Sequence, residues 1–348
     1  MTTTMQAAWL TGHGGNEVVQ IGTRERPVRA AGEVLVRMKA ATLNRVDLYM
    51  RDSGAGITHP LPLVMGVDGA GVVEDVGPEE TRWQVGQRVV LQPIVSCGRC
   101  EFCERGDTPL CTSASYLGEH RHGTLAQFVS LPARNVFALP EGLDFAQGAA
   151  LGVNHLTAWR MLFTKARVQP WETVLIFGIG GGVSLAALQL VKAIGAKAIV
   201  TSRDAGKLER ARAHGADEVV LGAGDEIAKQ VLKLTGGRGV DVVIENIGTA
   251  VWSAALKSLV RGGRLVTCGA TSGDQPGADI RRLFIRQLQV IGSTAGSLNE
   301  FRDLLTFVAQ HKLQPVIDQT YPLAELHAAL DHLDASRQFG KVAVALPD

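Results

Sequence analysis

One stretch constrains the fold of this chain more than any other: a strand, a glycine turn and a helix in direct succession. Thr173-Val-Leu-Ile-Phe177 is an apolar run of strand length. Gly178-Ile-Gly-Gly-Gly-Val-Ser184 follows, and Leu185, Leu188, Val191 and Ile194 then recur at helical spacing. In that context glycines let the backbone approach a pyrophosphate, and the helix start offers unpaired N–H groups and a positive dipole end. Gly178 and Gly180 fit the Gly-x-Gly-x-x-Gly pattern, while Val183 stands where its third glycine belongs. The expectation is a nucleotide-binding turn, with Gly180, Gly181, Gly182 and Val183 at the ligand. A purely structural turn is the alternative. The same glycines argue against a membrane span, although residues 173–191 carry no charge.

Strand-like runs then alternate with helical ones. Ala198–Thr201, Glu218–Leu221, Asp241–Glu245, Arg264–Cys268 and Gln289–Gly292 read as strands, with helices near 207–214, 226–234, 251–260 and 279–287. Such alternation predicts an α/β fold with a doubly wound parallel sheet. The first 150 residues read differently. Glu33-Val-Leu-Val-Arg-Met-Lys-Ala alternates in polarity, and Gly69–Gly77 and Gly86–Leu91 are short strands beside glycine turns, which predicts a β-rich, barrel-like region. The tail holds helical stretches at 300–311 and 323–335 and a last strand from Lys341. At 348 residues the chain exceeds one ordinary core, so two domains are expected.

The strand after the glycine turn ends in Thr201-Ser202-Arg203. An NAD site places an acid about 20 residues past its fingerprint, on the ribose hydroxyls. Here the residue at that distance from Gly182 is Ser202, followed by Arg203 and by Lys207. A hydroxyl and two cations suit a 2′-phosphate, so NADP(H) is expected in preference to NAD(H), for which Asp204 would be the acid. A solvated basic helix start is the bland alternative.

Four of the five cysteines, Cys97, Cys100, Cys103 and Cys111, fall within fifteen residues. Four thiolates close a tetrahedral zinc shell and leave no position for water, so one structural Zn2+ is expected, holding a loop with little core of its own. Reduced thiols or an iron–sulfur cluster are the alternatives. Cys268 reads as a small buried hydrophobe.

Charge excludes some functions. Lysine plus arginine is 35 against 34 acids, so no global field draws the chain to nucleic acid or a membrane. The start, Met-Thr-Thr-Thr-Met-Gln, has neither the basic nor the apolar region of a secretory signal, so a cytoplasmic protein is expected. Hydrophobic residues at 46% and charged ones at 20% describe a globular chain.

In this order the features resemble the medium-chain dehydrogenase/reductase superfamily, its zinc-type alcohol dehydrogenase and quinone oxidoreductase relatives, over essentially the whole chain. Further matching segments are Gly32-Glu-Val-Leu-Val-Arg, Gly66-Val-Asp-Gly-Ala-Gly-Val-Val, Val85-Gly-Gln-Arg-Val and Leu156-Thr-Ala-Trp. The resemblance implies a GroES-like catalytic domain over 1–155 and 296–348, with the zinc lobe at 95–113, and a Rossmann domain over 156–295. It places Thr157 beside the nicotinamide, and the cofactor site is expected to include Asn246, Gly269, Ala270, Ser293 and Lys341. A homodimer or homotetramer is expected.

The departures bear on the chemistry. Alcohol dehydrogenases of this type hold a catalytic zinc through a cysteine, a His-Glu pair and a second cysteine. Here Asn44, Val67-Asp68 and Val153 stand at those positions. Valine has no ligand atom, so a catalytic zinc is not expected. His120, His122 and His155 read as surface or pocket residues. Asn44-Arg-Val-Asp-Leu-Tyr49-Met-Arg51 looks instead like the quinone oxidoreductase branch, in which the asparagine and tyrosine line the substrate cleft. The expected function is hydride transfer from NADPH to a quinone or an α,β-unsaturated carbonyl compound. Asn44 and Tyr49 would polarise the carbonyl, and Asp47 is counted with them as catalytic. The alternatives are an alcohol dehydrogenase or aldehyde reductase, and a non-enzymatic NADPH-binding protein.

Overall fold

In the computed structural model, which describes residues 3–347, the alternation after residue 172 becomes one six-stranded sheet. Across it lie Glu218–Leu221, Lys197–Ser202, Thr173–Ile176, Val240–Glu245, Leu259–Thr267 and Gln289–Gly292, every neighbouring pair parallel. The chain enters at the centre and winds outward in both directions, the doubly wound order. Helices cover the sheet, so its central strands carry continuous apolar runs. Leu175, Ile199, Val243 and Leu265 pack with Ile227, Val231 and Ala255 from the helices Glu226–Leu234 and Thr249–Ser258. Several boundaries move by a few residues. The strand expected to reach Cys268 stops at Thr267. The helix expected at 207 spans Ala205–Ala213, because the Asp204 carboxylate accepts the Lys207 N–H at 3.2 Å and so caps the turn before it.

By contact the chain divides into two units: Asn154–Ala295, which holds this sheet, and the residues up to Val153 together with those from Gly296 on. The second of these is the β-rich part. Its larger sheet runs Val136–Ala138, Arg88–Leu91, Asp68–Val76, Glu33–Thr42, Lys341–Ala345, Ile317–Pro322, with Phe128–Pro132 also on Glu33–Thr42. Thr4–Leu10 pairs with Val19–Glu25 and Leu63–Val64 in a smaller sheet. Val36, Met38, Leu43, Leu48, Leu91, Leu330 and Val342 are among the residues of its core. The last strand lies antiparallel to Glu33–Thr42 with Ala343 opposite Thr42, which carries Lys341 to the residues that follow Thr42.

The helix Arg45–Ser53 has no apolar stripe long enough to predict it, yet it forms. Asn44 and Asp47 make a capping box, each side chain on the other's backbone N–H, which satisfies donors a helix start leaves orphaned. Among the described residues no helix is long and apolar enough to cross a membrane.

Candidate active site

The cysteine loop hangs from a two-stranded ladder, Ile94–Val95 on Ser115–Tyr116. Between these strands the chain makes a single helical turn, Glu101–Glu104, and a tight turn at Thr108–Leu110. All four Sγ atoms lie within 4.8 Å of one another, with Cys97 and Cys103 3.9 Å apart. Zinc–sulfur bonds of about 2.3 Å imply tetrahedral edges of about 3.8 Å, so the four thiols fit the metal. The Cys97 N–H donates to Cys111 Sγ at 3.3 Å, fixing the loop's two ends together. With four protein ligands the metal would hold the loop and offer no open position.

The expected cofactor residues follow the carboxyl ends of the parallel strands, where ligands of such sheets bind. After Thr173–Ile176 the backbone turns through Gly178 and Gly180 at φ of +67° and +109°. A Cβ at Gly180 would meet the Lys207 side chain at 2.8 Å, so the bare backbone leaves room there. Gly181 caps the helix Gly182–Ala193, and Val183 stands in its first turn. Ser184, the neighbour of Val183, is buried, donates to the Phe177 carbonyl at 2.7 Å and draws the helix onto the strand. Ser202 Oγ accepts the Asp204 N–H at 3.0 Å. Arg203 is exposed, and its guanidinium has no acid partner among the described residues. Asn246 Nδ2 reaches Ser184 Oγ at 3.4 Å, Gly269 and Ala270 follow the next strand, and Ser293 follows the last, its buried Oγ without a partner. Thr157 is buried in the helical turn Leu156–Trp159 of the same unit. The glycine cradle, the free helix start and the nearby cations fit a dinucleotide phosphate. Cys268 lies beside Glu245, and burial pushes its thiol up to about 12, which leaves it unreactive.

In the β-rich unit Asn44, Asp47, Asp68 and Lys341 form one buried cluster. Asp68 Oδ2 accepts from Thr42 Oγ1 at 2.9 Å, Asn44 Nδ2 at 2.8 Å and Lys341 Nζ at 3.1 Å. Lys341 Nζ donates also to the Leu43 carbonyl at 2.8 Å and to Asn44 Oδ1 at 2.6 Å. Burial holds the Lys341 ammonium below its usual range, against the pull of Asp68. Burial pushes the Asp47 carboxyl up to about 7, although the Asn44 N–H bonds it at 2.7 Å.

Asn44 was expected to donate to a substrate carbonyl, and the geometry corrects that. Its second amide hydrogen goes to the Thr42 carbonyl at 3.2 Å, so both hydrogens are already used. Lys341, expected at the cofactor, has its ammonium enclosed by three oxygens of this cluster. Asp47 is 2% exposed and meets no solvent-side group directly. Tyr49 differs: it is 40% exposed, and its hydroxyl has no partner among the described residues. Of the three histidines, His120 and His122 accept backbone N–H bonds from Tyr116 and Val64, and His155 bonds Gln189.

Asp68, with Lys341 as its counter-ion, escaped the sequence reading as a member of this cluster.

Comparison with known proteins agrees with this architecture. The zinc-binding dehydrogenase family matches residues 182–310, and the alcohol dehydrogenase GroES-like domain matches residues 30–141. An alcohol dehydrogenase of Geobacillus stearothermophilus is 31% identical over 94% of this chain and 96% of its own. A quinone oxidoreductase of Pseudomonas aeruginosa is 31% identical over 96% and 97%. A solved NAD-dependent alcohol dehydrogenase superposes with a TM-score of 0.95 at 40% identity, covering 99% of this chain and 100% of the other.

Proposed function

The chain belongs to the medium-chain dehydrogenase/reductase superfamily, in its zinc-type alcohol dehydrogenase and quinone oxidoreductase-like branch, and from that premise we propose that it reduces a quinone or an α,β-unsaturated carbonyl compound with NADPH and without a catalytic zinc. The observation that carries this reading is the state of Asp68. At the family's catalytic metal positions stand Asn44, Val67, Asp68 and Val153. The valines have no donor atom, and Asp68 Oδ2 already carries an ammonium, an amide and a hydroxyl. A divalent cation there would sit against the Lys341 charge. Without a Lewis acid, the reading favours acceptors that conjugation has already activated.

When bound, the reduced cofactor supplies the hydride. Gly180–Val183 and the helix start behind them take its pyrophosphate. Arg203 and Lys207 take the 2′-phosphate. Asp204 turns Oδ1 to its helix cap, where it accepts the Lys207 N–H. Tyr49 donates to the substrate carbonyl, and Asn44, Asp47 and Lys341 hold the floor of that site rigid. The test is NADPH oxidation with quinones, enones, enoyl thioesters and aldehydes in parallel. Turnover of quinones or enones at one zinc per chain is expected. Aldehyde turnover with a second tightly bound zinc would instead match the alcohol dehydrogenases among its relatives. Tight NADPH binding with no turnover would make it a binding protein.

The reading includes a second copy of the chain. Gln289–Gly292 ends the parallel sheet with one side unpaired, and Ile280, Phe284 and Val290 beside it are 68%, 67% and 43% exposed. An apolar sheet edge of this kind is covered by pairing with its own copy about a two-fold axis. Phe284→Asp should halve the mass seen by analytical ultracentrifugation, and a wild type that sediments as a monomer would refute the dimer.

A further inference from the structure

We propose that His13 and His59 form an exchangeable site for a divalent transition-metal ion, held by the Nε2 atoms of the two imidazoles. Neither the cysteine loop nor any residue at the family's catalytic metal positions takes part. The site stands whatever substrate and cofactor the protein uses.

Both rings are held in the form that ligates. His13 Nδ1 lies 3.0 Å from the Met50 carbonyl oxygen, and His59 Nδ1 lies 2.6 Å from that of Ile57. A carbonyl oxygen only accepts, so in each neutral ring the proton sits on Nδ1 and Nε2 carries a bare lone pair. Metal-binding imidazoles are oriented in the same way, by a carbonyl or carboxylate on the second nitrogen. Neither Nε2 has a hydrogen-bond partner among the described residues, and that of His59 is buried. A buried acceptor left unmet is costly. A cation shared between the two rings meets it.

The spacing of the rings suits such an ion. Their centres are 5.1 Å apart and their planes 76° to one another. Two imidazoles that share an ion at about 2.1 Å, at an angle near tetrahedral, have ring centres about 5 Å apart. A glycine makes the approach possible. Gly54, at φ of +71°, ends the helix Arg45–Ser53, and a Cβ there would lie 2.8 Å from His59 Cε1 and 2.9 Å from His13 Cε1. Cε1 is bonded to Nε2, and His13 Nε2 itself is 3.0 Å from the same point. Backbone bonds hold both segments here: the Gly14 N–H donates to the Arg51 carbonyl at 2.9 Å, and the Ile57 N–H to the Gly54 carbonyl at 2.8 Å.

Two imidazoles set the class of ion. Their nitrogens suit Cu2+, Ni2+ and Zn2+, copper most strongly, whereas Mg2+ and Ca2+ take oxygen. Among the described residues the four cysteines are the one group of three or more candidate ligands, so water completes the shell at the histidines. His120 does not join them: its Nδ1 accepts the Tyr116 N–H, which leaves the proton on Nε2. His13 is exposed, which gives the ion a way in and out. A chelator therefore strips this ion and spares the closed thiolate shell, so tightly bound zinc stays at one per chain. When bound, the ion ties the turn after Thr4–Leu10 to the end of the helix that carries Tyr49.

The test uses the zinc-loaded protein after dialysis against a chelator, with Cu2+ added up to one equivalent as the probe. One Cu2+ should bind per chain, and its electron spin echo should carry the modulation of two imidazoles. His13→Gln and His59→Gln should each reduce this to one imidazole and weaken binding about tenfold or more. Excess Zn2+ should raise the melting temperature of the wild type and of neither variant. Copper that shows fewer than two imidazoles in the wild type overturns the proposal. So does binding of unchanged strength in both variants, which would place the ion elsewhere on the chain.

Discussion

Lys341 Nζ donates to Asn44 Oδ1 at 2.6 Å across 297 positions of sequence. An amide whose oxygen is held by an ammonium and whose hydrogens are held by Asp68 and Thr42 cannot rotate. The start of the helix Arg45–Ser53, and Tyr49 one turn along it, are therefore fixed by a residue near the far end of the chain. Removing that residue leaves Asp68, at 0% exposure, without its counter-charge. Lys341→Met should cost about 3–5 kcal/mol, measured by denaturant unfolding. Lys341→Met with Asp68→Asn should be less unstable than the sum of the single variants. Strict additivity would contradict the pairing.

Metal analysis should give one zinc per chain. Cys103→Ser removes one ligand of a closed shell, so it should lose the metal and lower the melting temperature. A Cys103→Ser protein that keeps both would show that the four thiols hold no structural ion.

Cofactor preference tests the end of the second sheet strand. Arg203→Ala should raise the NADPH KM about ten- to hundredfold, the equivalent of about 1.5–3 kcal/mol for a charge-assisted phosphate contact, and leave the NADH KM nearly unchanged. Equal effects on both cofactors would remove Arg203 from the 2′-phosphate.

Stability should depend on pH through Asp47. Folding raises its carboxyl to about 7, whereas the unfolded chain gives up the proton near 3.9. Between those limits the native state holds a proton the unfolded state has lost. The contribution is complete below about pH 4 and disappears as pH rises past about 7. Glu119, raised in the same way, adds to the same window. Asp47→Asn keeps an oxygen for the Asn44 N–H, so it should gain on the wild type as pH rises from about 5 to about 8. Unfolding midpoints that stay parallel across that range would contradict the buried carboxyl.

What the sequence revealed of this site was local. Gly178–Ser184 and the four cysteines are short-range patterns, and each lands where its spacing implies. Val183 stands at the fingerprint's third glycine and counts as a mismatch, while its neighbour Ser184 holds the helix to the strand by donating to the Phe177 carbonyl. Asn44 was legible as a site residue and not as a spent one. Its partners come from the register that sets Ala343 opposite Thr42, and no local pattern encodes a register between strands so far apart. The helix Arg45–Ser53 was invisible to periodicity because its start is fixed by two polar side chains, Asn44 and Asp47. The turn 116–124 depends on three glycines from two separate segments meeting backbone to backbone, which sequence spacing does not record.

The strand Lys341–Ala345 fills a slot beside Glu33–Thr42, and this sets an order on biosynthesis. A ribosome delivers the N-terminal side first, so the sheet begun by residues 33–42 waits until residues 341–345 have been made. The contiguous stretch Asn154–Ala295 is under no such delay and is free to fold as it emerges. From the completion of that stretch until residues 341–345 emerge, the nascent protein pairs a finished parallel sheet with an open apolar one. Loss of residues 341–345 would leave that second sheet permanently unclosed and Asp68 permanently uncompensated, a fate that points to degradation rather than to a weakened enzyme.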